Sequence, residues 1–296
     1  MRVKKMHYLK KPTIIFCLII ELAGIPAFSQ NLTEIIQFSD HHYANGNFEL
    51  AANEYNRALF FGCKQSDQIC LRIANCYFSM NRFEQSIQFY DRAFYSTNSD
   101  SIKEEAILGK SFSLIMENRY DMAISELMNI DSSKTLYHNI KLNFLEGIAY
   151  FGLHQDNLSE LAFNKCLKQL SIASDSVIQR EFAVIKKSEK RYNPNTAYFL
   201  SIIFPGTGQY YTGHIKDGLN STVLIGGLFY VAVLLAKEYS FIAAVVTVIP
   251  WIQRYYMGGA SKAENFAKEK QTDIRIVTYH NILKKIELAH LENSPN

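Results

Sequence analysis

A short phrase recurs along the first half of this chain, and its period restricts the possible folds more than any other feature. "ANGNFELAANEYNRAL" (Ala44 to Leu59) is echoed by "SMNRFEQSIQFYDRAF" (Ser79 to Phe94) and by "MENRYDMAISELMNI" (Met116 to Ile130). A looser echo lies within "GIAYFGLHQDNLSELAFNKCL" (Gly147 to Leu167). In register, Phe48, Phe83 and Tyr120 align, followed by the small residues Ala51, Ser86 and Ala123. Then come Tyr55, Tyr90, Leu127 and Phe163, and after them Ala58, Ala93, Ile130 and Cys166; successive members of these two series stand 35, 37 and 36 residues apart. Within each echo apolar residues recur at three- and four-residue spacing, the period of a helix. The Asn-Gly or Asn-Arg pair before the aromatic marks a turn between two helices. One such pair cannot bury its apolar face alone, so the units must stack and share a core. The sequence predicts an all-α fold with a helical-hairpin solenoid over residues 31–170.

This phrase and period resemble the tetratricopeptide repeat, whose unit is a helix-turn-helix of about 34 residues. The position usually held by tryptophan is Ile35, Cys70, Ile107 and Asn143 here, and the usual proline after the second helix is absent. The resemblance implies that the first helix of each pair lines a concave groove for a protein or peptide partner. Carried over by register, that groove includes Asp40, Tyr43, Asn75, Phe78, Phe112, Ile115 and Phe151. Such a surface is aromatic and poor in basic groups, so capture of a C-terminal carboxylate is not expected. Residues 171–195 read as an amphipathic closing helix with Val177, Phe182 and Ile185 on its apolar side.

The N-terminus carries Arg2, Lys4, Lys5, Lys10 and Lys11, then an apolar run from Thr13, then Ala27-Phe28-Ser29. That order is a secretory leader over residues 1–29, cleaved before Gln30, and it sends the chain out of the cytoplasm. Of the cysteines, Cys63, Cys70, Cys76 and Cys166 lack the spacing of a metal knuckle and read as small buried packing residues. Adjacent His41 and His42 point about 100° apart on a helix and do not share one ion. A net charge of +3 without a dense Lys/Arg stripe excludes a nucleic-acid surface.

Beyond Arg191 the composition shifts. Gly218 to Ala236 is an uncharged run of 19 residues, near the length a spanning helix needs. Lys237-Glu238 make a minimal turn, and a second apolar stretch follows, so a transmembrane hairpin is expected with helices at about 218–236 and 239–260. Thr222 and Gly226-Gly227 on one helix, with Gly258-Gly259-Ala260 on the other, offer small contact faces, including for an oligomer. The membrane region is assigned to residues 196–269 and a polar, amphipathic tail to 270–296, which either lies on the membrane or folds back on the repeats.

Between the two regions stands "FPGTGQYYTGHIKDG", residues Phe204 to Gly218. A phosphate loop needs Lys-Ser/Thr after its glycines, and here Asp217 follows Lys216; a dinucleotide fingerprint needs a third glycine where Tyr211 stands. Pro205-Gly206 instead stops a half-helix, Gly208 and Gly213 permit tight backbone, and Asp217 caps the helix from Gly218. Pro205, Gly206, Gly208, Gln209, Tyr211, Gly213, Asp217 and Gly218 thus form a membrane-loop motif. The pattern P-G-x-G-Q-x-Y-x-G before an apolar helix resembles a small bacterial membrane module related to the TM2 domain. Together the two resemblances imply a membrane-tethered scaffold of the bacterial cell envelope, its repeats periplasmic, that binds protein partners and assists membrane-protein or envelope assembly. No catalytic residue, metal or cofactor is expected. The alternative is a membrane enzyme or transporter with chemistry at His214 and Asp217.

Overall fold

A computed structural model describes residues 31–130, 136–170 and 175–293, and the expected leader over residues 1–29 lies outside them. All regular elements among the described residues are helices, in a helical-hairpin arrangement. The chain divides into two compact units, one up to Glu117 and one from Asn118.

The first unit holds α1 (Leu32–Ala44), α2 (Phe48–Phe60), α3 (Ser66–Ser79), α4 (Phe83–Ser96) and α5 (Asp100–Met116). Helices α1 and α2 pair, as do α3 and α4, and α3 packs on α2 while α5 packs on α4 and α3. The second unit contains α6 (Tyr120–Leu127), α7 (Leu136–Gly152), α8 (Asp156–Gln169) and α9 (Asp175–Arg191). It continues with α10 (Pro194–Ile203), α11 (Thr207–Tyr211), α12 (Ile215–Glu238) and α13 (Phe241–Asn293).

The repeat register governs the packing. Tyr55, Tyr90, Leu127 and Phe163 are all buried, and so are Ala58, Ala93, Ile130 and Cys166. Ile35, Cys70, Ile107 and Asn143 are buried at the tryptophan-like position. The small series gains a fourth member, Ser159, since Ala51, Ser86, Ala123 and Ser159 are all fully buried. Ser86 Oγ donates to Ala74 O at 2.9 Å and Ser159 Oγ to Gly147 O at 2.7 Å, so a serine at this place ties its helix to the preceding one. Such a bond is worth about 1 kcal/mol and lets the hydroxyl be buried where alanine would otherwise sit.

Each repeat also turns in the same way. Gly46, Asn81, Asn118 and His154 hold left-handed backbone at φ 77°, 58°, 59° and 58°. After the turn residue, the N–H of Asn47, Arg82 and Gln155 bonds to the carbonyls of His42, Tyr77 and Tyr150, the six-to-one closure of a Schellman cap. His154 shows that the loosest sequence echo keeps the geometry. Cys70, Cys76 and Cys166 are buried free thiols, and Cys63 is half-buried. Burial pushes the Cys76 and Cys166 thiols up to about 12, because a thiolate in that apolar setting loses its hydration.

The C-terminal region departs from expectation. The second hairpin helix does not stop near residue 260. It runs on as a single α13 of 53 residues, with Pro250 inside it. Ala244 and Val248 are buried near its start, and from Ala260 onward the buried residues Ala260, Ala263, Ala267, Thr278, Ile282, Ile286 and Ala289 follow one helical stripe. The first part of that stripe packs on α10, α11 and α12; the later part packs on α9 and α8. The tail therefore folds back on the repeats.

Candidate functional site

Two places collect the residues that the sequence singles out. The first is the face of α1, α3 and α5 in the first unit. Phe78 on α3 packs on Phe112 of α5, ring centroids 4.8 Å apart, and edge-on against Phe83 at 5.5 Å. Phe112 and Tyr43 are 37% and 36% exposed, so apolar ring surface faces outward here. Asn75 accepts the Tyr90 hydroxyl at 2.6 Å. Asp40 accepts from the Tyr55 hydroxyl and from Arg72, which joins α1 to α3. Burial, then the Asp40 carboxylate, raise the Tyr55 pKa, so its hydroxyl stays a donor.

Two of the nominated groove residues are not available on this surface. Ile115 is buried in the first unit, because α5 turns that side inward. Phe151 is buried in the second unit under the chain's own α13. There Tyr279 stacks on the Phe151 ring at 4.9 Å and the Arg275 guanidinium lies 4.0 Å over it. Arg275 also donates to Phe151 O at 2.7 Å and pairs with Asp156 at 2.7 Å, both side chains mostly buried at 13% and 16% exposure. Lys285 binds Glu181 of α9 at 2.5 Å, and Gln271 Nε2 donates to Tyr192 O at 3.0 Å past the end of α9. Arg72, which the register does not nominate, is half-exposed and pairs with the nominated Asp40.

The second place is the glycine-rich turn, all of it in the second unit. Helix α10 starts at Asn193, whose side chain accepts from Thr196 N–H, and ends where Pro205 and Gly206 (φ 95°) break it. Helix α11 then returns along α10. A Cβ on Gly208 would lie 2.0 Å from Ala197 O and 2.8 Å from the Ala263 Cβ, so this crossing admits glycine alone. A Cβ on Gly206 would lie 2.4 Å from Gly218 O, and one on Gly218 2.6 Å from the Tyr210 ring. Gln209 is almost wholly buried at 1% exposure. Its Oε1 accepts from Ser201 Oγ at 3.0 Å and its Nε2 donates to Gly259 O at 2.8 Å, pinning α11 between α10 and α13. Ser201 Oγ in turn accepts the Gly208 N–H at 3.0 Å. Tyr211 OH accepts from Asn193 N–H at 3.1 Å, and Gly213 (φ 84°) closes α11 with a left-handed cap before α12 begins.

His214 and Asp217 are held by α13. The His214 ring stacks on Phe266 with centroids 3.7 Å apart, and Thr212 Oγ1 lies 3.2 Å from its Nδ1. Asp217 pairs with Lys262 at 2.5 Å; it sits in the first turn of α12, which begins at Ile215 rather than Gly218, so it is a helical residue and not the cap. The turn residues named from sequence therefore meet α10, α12 or α13, except Gly218, which lies in α12 and meets Tyr210 of α11, and Gly213, whose surroundings are open. The partner Ser201 carries no local signal of its role, since it meets the turn only through folding, whereas Gly259 belongs to a small contact face already legible in the sequence.

Helix α12 is 24 residues long and, among the described residues, is the helix long and apolar enough to cross a membrane. Leu219, Val223, Phe229, Tyr230, Val233 and Leu234 project from several sides of it and are exposed. A helix apolar all round needs an apolar surrounding. The early part of α13 presents Phe241, Ile242, Val246 and Ile249 in the same way but is interrupted by Pro250 and Arg254. No protein-family model matches the chain, and no curated protein matches it.

Proposed function

We propose that this protein is a membrane-tethered helical-repeat scaffold of the bacterial cell envelope, which holds a protein or peptide partner on the open face of α1, α3 and α5. The observation that carries this reading is α13. One uninterrupted helix pairs with the outward-facing apolar α12 at its start and clasps α7, α8 and α9 at its end. In a bilayer, α12 and α13 form a hairpin whose two outer ends emerge on one side, the side of the repeats. Behind a cleaved leader that side is the periplasm, and the tetratricopeptide-like register and the envelope-assembly role belong to the same proposal. The recognition surface is the Phe78–Phe112 pair with Tyr43, flanked by Arg72 and Asp40, which suits an apolar segment of a partner with a polar group beside it.

The test is site-specific photo-crosslinking in intact cells from Phe112, compared with Tyr95 elsewhere in the same unit. The expected result is a defined adduct from Phe112 that disappears with Phe78→Ala, while the protein stays in the carbonate-resistant membrane fraction. Equal adducts from both positions, or adducts indifferent to Phe78→Ala in a folded protein, overturn the partner face. Release by carbonate overturns the tether.

A further inference from the structure

The helix break at Pro205-Gly206 has an unusual surrounding. The exposed residues change along α10 and its C-cap: Asn195 and Thr196 near the start, then Phe199 and Ile203 toward the break and Phe204 just past the helix end, at 62%, 70% and 68% exposure. Asn195, Phe199 and Ile203 are four residues apart and share one face, which thus grades from polar to apolar. At the break itself side-chain hydroxyls donate to several backbone carbonyls, in addition to the Phe204 N–H on Leu200 O and the Thr207 N–H on Phe204 O. Thr207 Oγ1 shares its proton between Leu200 O at 2.5 Å and Phe204 O at 2.7 Å, Tyr256 OH donates to Ile202 O at 2.7 Å, and Thr222 Oγ1 shares its proton between Pro205 O at 2.8 Å and Gly218 O at 2.9 Å. A surface turn in water has no need of this, because water meets such groups. In hydrocarbon each of them has to be met from within the protein.

The axial register gives the depth. Pro205 lies level with Thr222, and from there to the last uncharged residue of α12, Ala236, the helix rises only about 21 Å. The hydrocarbon of a bilayer is about 30 Å thick, so the slab that contains α12 extends past the level of Thr222 and Pro205. The exposed side chains next to that level are Ile203 at the end of α10 and Phe204 at its C-cap, with Leu219 and Val223 on α12, and Phe199 stands one turn further up α10.

Building on the tether reading above, we propose that α10 and α11 form a re-entrant helical hairpin. It dips into the leaflet on the repeat side, with Phe199, Ile203 and Phe204 in contact with lipid acyl chains and its apex below the headgroups. The occupant of this face is lipid, because the face is continuous with the apolar surface of α12 and carbonyls at the break are met by hydroxyls from within the protein. The glycine-rich turn is then the device that lets a chain enter one leaflet and leave it again before committing to the full span: Gly206 and Gly208 let α11 return against α10, and Gln209 locks the pair to α13.

The chain has a single tryptophan, Trp251, which makes a direct test possible in the full-length protein. In a Trp251→Phe background, tryptophan is placed at Phe204, at Phe229 in the middle of α12, or at Tyr95 in the repeats. Each protein is reconstituted in phosphatidylcholine vesicles whose lipids carry bromine either high or low on the acyl chain. Phe204→Trp should be quenched most by the shallow bromine and little by aqueous acrylamide, Phe229→Trp most by the deep bromine, and Tyr95→Trp by acrylamide alone. If Phe204→Trp follows Tyr95→Trp while Phe229→Trp is quenched by lipid, the re-entrant hairpin is wrong and the tether stands. If neither Phe204→Trp nor Phe229→Trp is quenched by lipid, the tether itself fails and the hairpin with it.

Discussion

The pair α3–α4 and the pair α12–α13 are both antiparallel helices brought close by small residues, yet they are built in opposite senses. In α3–α4 the aromatic and branched side chains Ile69, Ile73, Ile87 and Tyr90 turn inward, and of the polar ones Ser86 alone is fully buried. Around α12–α13 the polar groups turn inward. Gln209, Ser201 and Thr212 are buried, while phenylalanine, valine and leucine face out. The first arrangement is held by removal of apolar surface from water, about 1.5–3 kcal/mol for each large side chain. The second cannot be held that way if lipid surrounds it. Its cohesion has to come from close packing and internal hydrogen bonds. Sequence devices of one kind, small residues at crossings and left-handed caps, therefore serve two different energetic schemes.

The comparison breaks first at the glycines. Gly208→Val should lose about 3 kcal/mol or more, because its side chain meets the Ala197 carbonyl, which cannot swing away. Thermal unfolding in detergent followed by circular dichroism should show early loss of the α10–α13 helices, with the repeats melting later. Arg275→Leu comes next, at about 3 kcal/mol, since it strands the largely buried Asp156 carboxylate. Limited proteolysis of this variant should cut α13 after Gln271 before any cut appears in α12. Gly109→Ala in the repeats should cost about 2 kcal/mol, as the new methyl meets the ring of buried Tyr90, whose hydroxyl is held by Asn75. An unchanged melting temperature there would show that the repeat core is looser than its burial implies.

Alkaline pH separates the two schemes more gently. The folded thiols of Cys76 and Cys166 titrate near 12, above the value of about 8.5 for an unfolded cysteine. The folded state then holds protons that the unfolded state has released. The stability they lend is complete below about 8.5 and declines as pH rises toward 12. Denaturant titrations of the repeats should weaken over that window, and Cys76→Ala should flatten part of the slope. The smallest effects are gains. His154→Gly should add about 1 kcal/mol by relieving left-handed strain in a β-carbon residue. Gly226→Ala, with open space around it, should add under about 1 kcal/mol through helix propensity.

Much of the repeat architecture was legible because it is local and periodic. The series from Tyr55 to Phe163 and from Ala58 to Cys166 turned out buried at every position, and the turn residues before Phe48, Phe83 and Tyr120 adopt left-handed backbone. Ser159 and His154 were hidden in the loosest echo, where only geometry shows their equivalence to Ser86 and Asn81. The candidate site was less legible, for a physical reason. A register says which face a residue is on, but not what else the chain lays over it. Phe151 occupies the same register as its neighbours, and it is Arg275 and Tyr279, more than a hundred residues later, that cover it. The run past residue 260 was obscured by the change from an apolar stretch to a polar tail at Ser261, which gives no local sign that one helix continues. Here Gly259 stays helical and brings its carbonyl to Gln209, with Ser221 close by.

The single stripe along α13 has a consequence for how this chain tolerates change in length. Ala260, Ala263 and Ala267 set the rotation of the helix against α10, and Arg275, Ile282 and Lys285 set it against α7 and α9. One inserted or deleted residue between Ala267 and Gln271 would rotate one set relative to the other by about 100° and shift it by about 1.5 Å. Only one set can then stay engaged. The segment between them makes few contacts of its own, yet its residue count is as strictly constrained as the identity of any buried side chain.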